Sequence, residues 1–545
     1  MAATTTTVLG TSATSVGGPP LSLRRRLPWP VLLPLLTLAT LLIDGYHPLA
    51  EDGGLYVAGI EYRLNPTLFP RDTAFVTAHL HYSLFAPALA ELTRIAHLPL
   101  AITLLLAYVF TLWLLLYAGL QLLRRCTPSP AAQLAGVALL AAWSTLPVAG
   151  TSLLLTDPYL TARSFTTPLS LLAIAFALDD WTPRSRSARL CALSLVLAAL
   201  LHPLMAFCAL AMVVLLRLFR SPHSPRLVAS FAVVVLSVAA TIHAFAPPDP
   251  PAVVAASLSR YYWFLSQWHW YELCGLLGPF AMLSLLLLGN RNTPRFAATS
   301  NIRALCLACL AAGSIAIAIA LLFAHAHSTT YLIARLQPLR IFLLIYAIMA
   351  LLLGALVTGS LLSTWRSRPI KAVATVFPAF AIMISSVTLF TAQRATFPAS
   401  RHIELPSASP INPWSQAFLW VRANTPTQAL FALDPDYITT PGEDAQTFRA
   451  TALRSALPDF SKDGGEASIT PSLAPLWQHQ LTAQFAIQSG TALTTHAMLS
   501  AQTDAERDAR LRPLGVTWLI LHADARTAHP CPYQNRDVKV CRLAP

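Results

Sequence analysis

Long apolar runs dominate this chain, separated by short polar stretches rich in arginine. Runs long enough to cross the roughly 30 Å of bilayer hydrocarbon fall near 27–43, 98–123, 131–150, 165–178, 188–201, 204–219, 227–246, 272–289, 303–323, 339–362 and 371–391. They predict about eleven membrane-spanning helices, with the short pairs around Arg163 and His202 counted as two each. The pattern breaks twice. Residues 44–96 open DGYHPLAEDGGLYVAGIEYRLNPTLFPRD and carry six carboxylates: Asp44, Glu51, Asp52, Glu61, Asp72 and Glu91. The rest of the apolar part, up to residue 391, has only five more. A loop this polar cannot lie in lipid, so it folds on the membrane surface or into a water-filled cavity.

The second break comes at residue 392. Beyond it the pattern predicts a helix over 413–423, a turn at Asn424-Thr425-Pro426 and a strand over 429–433. A helix over 504–512 then leads into a buried strand within LGVTWLILHADA. Strands alternating with helices indicate a small α/β domain. The predicted fold is an all-α polytopic membrane bundle with a large first outer loop and a small α/β C-terminal domain. Its parts are a disordered leader (1–26), a transmembrane domain (27–391, with the first outer loop at 44–96) and a soluble extracytoplasmic domain (392–545).

Composition agrees with the pattern: 55% of residues are hydrophobic, 11% are charged and mean hydropathy is +0.56. The net charge of +13 changes the picture only through where it sits. The region from 392 holds thirteen Lys/Arg against thirteen Asp/Glu, so the whole excess belongs to the membrane part. With the N-terminus in the cytoplasm, the cytoplasmic loops and leader carry seventeen basic residues, including Arg24, Arg25, Arg26, Arg291, Arg295 and Arg366; the opposite loops carry seven. That is the positive-inside pattern, which predicts a multi-pass membrane protein with a cytoplasmic N-terminus and accounts for the charge without nucleic acid; the resemblance described below implies a bacterial inner membrane. An odd number of spans puts the C-terminal domain outside the cytoplasm. Apart from Asp179 and Asp180, the acids of the membrane part lie on the outer side, as do nearly all its histidines, which points to a polar chamber opening there. Cys531 and Cys541 flank PYQNRDVKV, a hairpin pattern, and are expected to form a disulfide in an oxidising compartment. The other six cysteines lie in or beside apolar runs and show no zinc spacing.

The candidate chemistry centres on Glu51-Asp52. His47 precedes the pair and Gly53-Gly54 follows, leaving room for a ligand to approach; Pro48 suits the first position of a helix, so the acids also fit helix-start charges. A first span followed by a large outer loop with adjacent acids resembles the GT-C superfamily of membrane glycosyltransferases. HPLAEDGGLY and LNPTLFPRD are similar to an uncharacterised bacterial membrane family with this loop, as are WVRANTP and FRATALRS in the tail. The resemblance implies a polyprenyl-phosphate-linked sugar donor and a carboxylate, Glu51 or Asp52, acting as general base on an acceptor hydroxyl. Some members of the superfamily hold a divalent metal at such acids, and the resemblance leaves that open here.

The leaving lipid phosphate needs cations, and Arg163, Arg260, Arg335 and Arg340 are the outer-side guanidiniums suited to it; anchoring to lipid headgroups is their structural alternative. Arg335 and Arg340 lie five apart and need a break near Pro338 to converge. His79 and His81 are two apart, so one at most can join a site, and His81 is taken with His47 as a substrate contact. The aromatic stretch 260–272 suits an interfacial belt or a platform for sugar or isoprenoid. Arg449, Arg454, Lys462 and Trp477 are assigned no chemistry, with surface ion pairing as their expected role, and Asp434 and Asp436, flanking Pro435 after a strand, fit turn chemistry or, for one of them, a ligand contact equally. No G-x-S-x-G, Walker loop or HExxH is present. The alternatives to a glycosyltransferase are a transporter or flippase of a lipid-linked or polar solute, which the lack of an internal repeat disfavours, and a non-catalytic envelope assembly protein.

Overall fold

The computed structural model describes residues 28–179, 184–289, 300–364, 368–434, 445–485 and 498–543, with Thr182. The leader, Asp180, Arg291, Arg295, Arg366 and Asp436 lie outside these residues. Five helices among them are long and apolar enough to cross a membrane: Leu100–Cys126, Ser224–Phe245, Trp270–Leu288, Ser300–Phe323 and Leu332–Thr358. Trp29–Asp44, Pro130–Ala142, Ala162–Ala177 and Pro203–Phe219 are shorter apolar helices. Lipid offers the backbone no hydrogen-bond partner, so apolar sequence of this length resolves into helices that satisfy their own amides.

The bundle has an inside and an outside. The helix Phe342–Thr364 is enclosed along most of its described length, with Leu344, Ile348 and Leu351 fully buried against Leu140, Ile174 and Leu305. Small residues let its neighbours approach: a Cβ on Gly354 would stand 2.6 Å from the Ala135 carbonyl oxygen. Ser224–Phe245, by contrast, turns Val233, Val234, Val238 and Phe245 outward. It is the least enclosed of the five.

After the first helix the chain forms Asp52–Leu64, Thr73–Thr77, a 3-10 turn at Ala78–His81, and Phe85–Ala96. The C-terminal domain packs on this loop. The domain carries helix Pro413–Asn424 and a five-stranded sheet. Its strands are β1 (Leu430–Leu433), β2 (Ser455–Ala456), β3 (Trp518–His522), β4 (Tyr533–Gln534) and β5 (Val538–Arg542), ordered β2-β1-β3-β5-β4. β1 runs parallel to β2 and β3, and β5 is antiparallel to β3 and β4. Asn535 shapes the β4–β5 turn by accepting from the amides of Asp537 and Val538, and Cys531 is bonded to Cys541 at its base.

The loop and the domain share a closely packed interface. A Cβ on Gly54 would come within 2.9 Å of the Gln446–Thr447 backbone, so glycine permits the two helices to touch. Thr447 donates to the Leu49 carbonyl, and Tyr46 pairs with Ile403. At its centre Arg449, 1% exposed, bridges Asp72 (2.5 Å) and Asp463 (2.9 Å). The expectation of a surface role for Arg449 and Trp477 is therefore corrected: both side chains are fully buried, as is most of Arg454, which donates to the carbonyls of Arg422 and Thr425. Asp434 is likewise no simple turn residue; it accepts from the amides of Leu499 and Ser500 across the domain.

Candidate active site

Helix Asp52–Leu64 begins at Asp52 rather than at Pro48, because Glu51 adopts φ 47° and breaks the chain just before it. The two acids differ in their access to the cavity. Asp52 lines a cavity of about 920 Å³, whereas Glu51 stands beside its wall. A Cβ on Gly53 would meet the Pro48 carbonyl at 2.6 Å and Tyr159 at 3.0 Å, so this helix start also depends on glycine.

Cations converge on Asp52 from two directions. Arg163, near the start of Ala162–Ala177, reaches its Oδ2 at 2.9 Å and holds Asp157 at 2.9 Å. Thr161 and Ser164 form a capping box that fixes this helix start. Lys462, from the C-terminal domain, lies 3.3 Å from Asp52 Oδ1 and 3.1 Å from Glu51 Oε2. Burial alone would raise the Asp52 carboxyl, but Lys462 and Arg163 outweigh it and hold Asp52 well below the usual carboxylate range, with Arg340 adding to the effect.

Arg340 lies in the 3-10 turn Pro338–Ile341. The break predicted near Pro338 occurs there, with Gln337 at φ 46°, and it brings Arg335 and Arg340 to the same cavity. Their states differ. Arg335 is ion-paired with Asp249 at 2.6 Å, whereas Arg340, half-buried, has no ion pair among the described residues; the Nε of each lacks a protein hydrogen-bond partner. Arg260 also lines the cavity, but its guanidinium donates to the carbonyls of Phe460 and Ser461 and clamps the C-terminal domain in place.

The histidine assignments need correction. His81 is exposed and outside the cavity; His79 is the one that points in, packed edge-on to Tyr56 with centroids 5.1 Å apart. Burial pushes His79 down to about 4, so it is neutral at pH 7, and neither ring nitrogen has a hydrogen-bond partner. His47 is also outside, stacked on Phe397 (3.9 Å) and 3.5 Å from Glu404. The aromatic stretch divides: Tyr261 and Tyr262 line the cavity, Trp263, Phe264 and Trp268 are buried, and Trp270 and Tyr271 face outward like interfacial anchors.

Lys462 and Glu466 were not identified from the sequence as part of the site. Both come from helix Lys462–Ile469 and line the cavity. Burial, with Asp463 and Asp52 nearby, raises Glu466 to about 8. The lysine and the acid flanking a Gly-Gly pair were the available signal. Below the charged chamber, the cavity continues as an apolar shaft between three helices, lined by Phe207 and Leu215, by Val235 and Ile242, and by Ile315 and Ile319.

The carboxylate pair does not fit a divalent metal. Asp52 Oδ1 and Glu51 Oε2 converge on an ammonium, and Asp52 Oδ2 meets a guanidinium. Among the described residues no cluster of three or more His, Cys, Asp or Glu is arranged to hold a metal ion.

These features define a multi-pass, mostly helical membrane protein with a small C-terminal sheet. In particular, the chain is similar to two crystal structures of the oligosaccharyltransferase of Archaeoglobus fulgidus. One, tethered by a disulfide to an acceptor peptide containing the NVT sequon, matches at 12% identity with a TM-score of 0.52. The apo form matches at 11% identity with a TM-score of 0.50. Each match covers 90% of this chain and 69% of the other. At this identity the likeness concerns the fold. No family model matches the chain, and no curated protein matches it in sequence.

Proposed function

We propose that this protein is a membrane glycosyltransferase that transfers a sugar from a polyprenyl-phosphate-linked donor to an acceptor on the outer face of a bacterial inner membrane. The observation that carries this reading is the joining, in one cavity, of a charged chamber to an apolar shaft. A lipid-linked sugar phosphate has the same two chemistries in the same order. The arginine-rich loops support eleven crossings with the chamber on the outer side, and the fold of the oligosaccharyltransferase neighbours supports the reaction class.

The parts then have distinct roles. Arg340 and Arg163 hold the phosphate, and Tyr261 and Tyr262 pack at the sugar end. Asp52 accepts a hydrogen bond from the acceptor hydroxyl and orients it. The hydroxyl oxygen attacks the anomeric carbon, the bond from that carbon to the phosphate oxygen breaks, and polyprenyl phosphate leaves with the electron pair. Because its cations hold Asp52 low, it takes the proton only as the new bond forms.

The test is release of polyprenyl phosphate from a panel of undecaprenyl-phosphate-linked hexoses by the full-length protein in nanodiscs. Release by the wild type and its loss in Asp52→Asn are expected. No release from any donor, together with movement of the intact lipid between leaflets in vesicles, would establish the flippase reading instead.

A further inference from the structure

We propose that Lys462 of the C-terminal domain is a built-in replacement for a divalent cation, so that the site operates with a tethered ammonium and excludes metal. The starting point is its position. Its Nζ bridges carboxylates of two adjacent residues, 3.1 Å from Glu51 Oε2 and 3.3 Å from Asp52 Oδ1, which is where a metal shared by the pair would lie. Arg163 takes the remaining oxygen of Asp52 at 2.9 Å. A divalent ion entering this notch would meet two fixed positive charges at close range, with Arg340 lining the same cavity.

The lysine is held there by its neighbours on both sides. Asp463 is gripped by Arg449 at 2.9 Å and accepts from the Asp459 amide, while its own amide donates to Asp459. Arg260 clamps the carbonyls of Phe460 and Ser461. Gly464 lets the segment sit this close: a Cβ there would stand 3.0 Å from Trp477 and 3.1 Å from Arg260 Nη2. The Lys462 backbone is thus fixed by the buried interface between domain and first loop, and its side chain, 16% exposed, has little room to leave. Such preorganisation is what an electrostatic catalytic group requires.

Removing the ammonium changes the chemistry of the notch. In Lys462→Met, Glu51 and Asp52 face each other without a shared cation, with Asp157 close behind on Arg163. That frees Glu51 Oε2 and Asp52 Oδ1, two hard oxygen donors of the kind Mn²⁺ and Mg²⁺ take, water completing the shell.

The experiment is Mn²⁺ binding to the chelator-treated, full-length protein in nanodiscs, followed by electron paramagnetic resonance, with melting temperature as the folding control. The wild type should bind no stoichiometric Mn²⁺, and Lys462→Met should gain one site at least tenfold tighter. Lys462→Arg, which keeps the charge, should stay metal-free. A wild-type Mn²⁺ site lost in Asp52→Asn would overturn the proposal, as would a folded Lys462→Met that gains none. The proposal rests on the glycosyltransferase reading only for the meaning of the site. Metal binding is read without a donor, so its failure leaves the transfer assay untouched, and the reverse also holds.

Discussion

Two arginine-centred clusters join the first loop, and they use almost the same parts. Arg449 sits between Asp72 and Asp463; Arg163 sits between Asp52 and Asp157. The first is sealed. All of its guanidinium nitrogens bond to protein, the Ala456 amide also donates to Asp72, whose other oxygen is buried without a partner, and none of the three residues lines the cavity beside Asp52. The second forms part of a cavity wall, shares its carboxylate with a lysine from another domain, and lies near a histidine and an arginine with unpartnered nitrogens. The ion pairs themselves therefore do not mark a functional site. Access to a cavity does. A sealed buried pair confers registry between two segments, and breaking it leaves charges with nowhere to go.

Substitutions should separate the clusters by what is lost. Arg449→Met strands two buried carboxylates and should cost about 3–5 kcal/mol, read as a lowered melting temperature and early proteolysis of the C-terminal domain. A loss near zero would make the two clusters equivalent. Asp52→Asn should do the opposite: a melting temperature close to wild type, with transfer reduced by roughly two to four orders of magnitude. Arg340→Gln should weaken binding of undecaprenyl phosphate by roughly ten- to a hundredfold, the value of a charge-assisted hydrogen bond. Unchanged binding in native mass spectrometry would remove Arg340 from the headgroup site.

The smallest effect concerns pH. Glu466 has its folded value raised from 4.5 to about 8 by burial, then by Asp463 and Asp52. In that window the folded protein holds a proton that the unfolded chain has released. Stability therefore falls as pH rises from 4.5 toward 8 and levels off beyond. Glu466→Gln should flatten that slope in melting temperature, and an identical slope in the variant would show that Glu466 is not its source.

The sequence made the membrane part legible because lipid enforces its rule locally: each apolar run must satisfy its own backbone, and each meets a helix in the structure. Strand β1 and helices Pro413–Asn424 and Asp504–Leu511 were legible for similar local reasons. Asp52, Arg163 and Arg340 stood out because charge is rare beside apolar runs. Lys462 did not, since the domain around it balances charge and its partner Glu51 lies 411 residues away. Arg449 looked like surface for the same reason. The choice of His81 over His79 turned on the pitch of one 3-10 turn, and His47 on a stacking partner, Phe397, from beyond the last apolar run. Contacts between distant segments leave no periodicity to read.

The central claim is that the chamber and the shaft bind one lipid phosphate. A cryo-EM structure of the protein in nanodiscs with undecaprenyl phosphate tests it most directly. The account predicts the phosphate within hydrogen-bond distance of Arg340 or Arg163, and the prenyl chain along Phe207, Val235 and Ile315. A phosphate bound elsewhere, with the chamber filled only by water and the shaft by annular lipid, would contradict it.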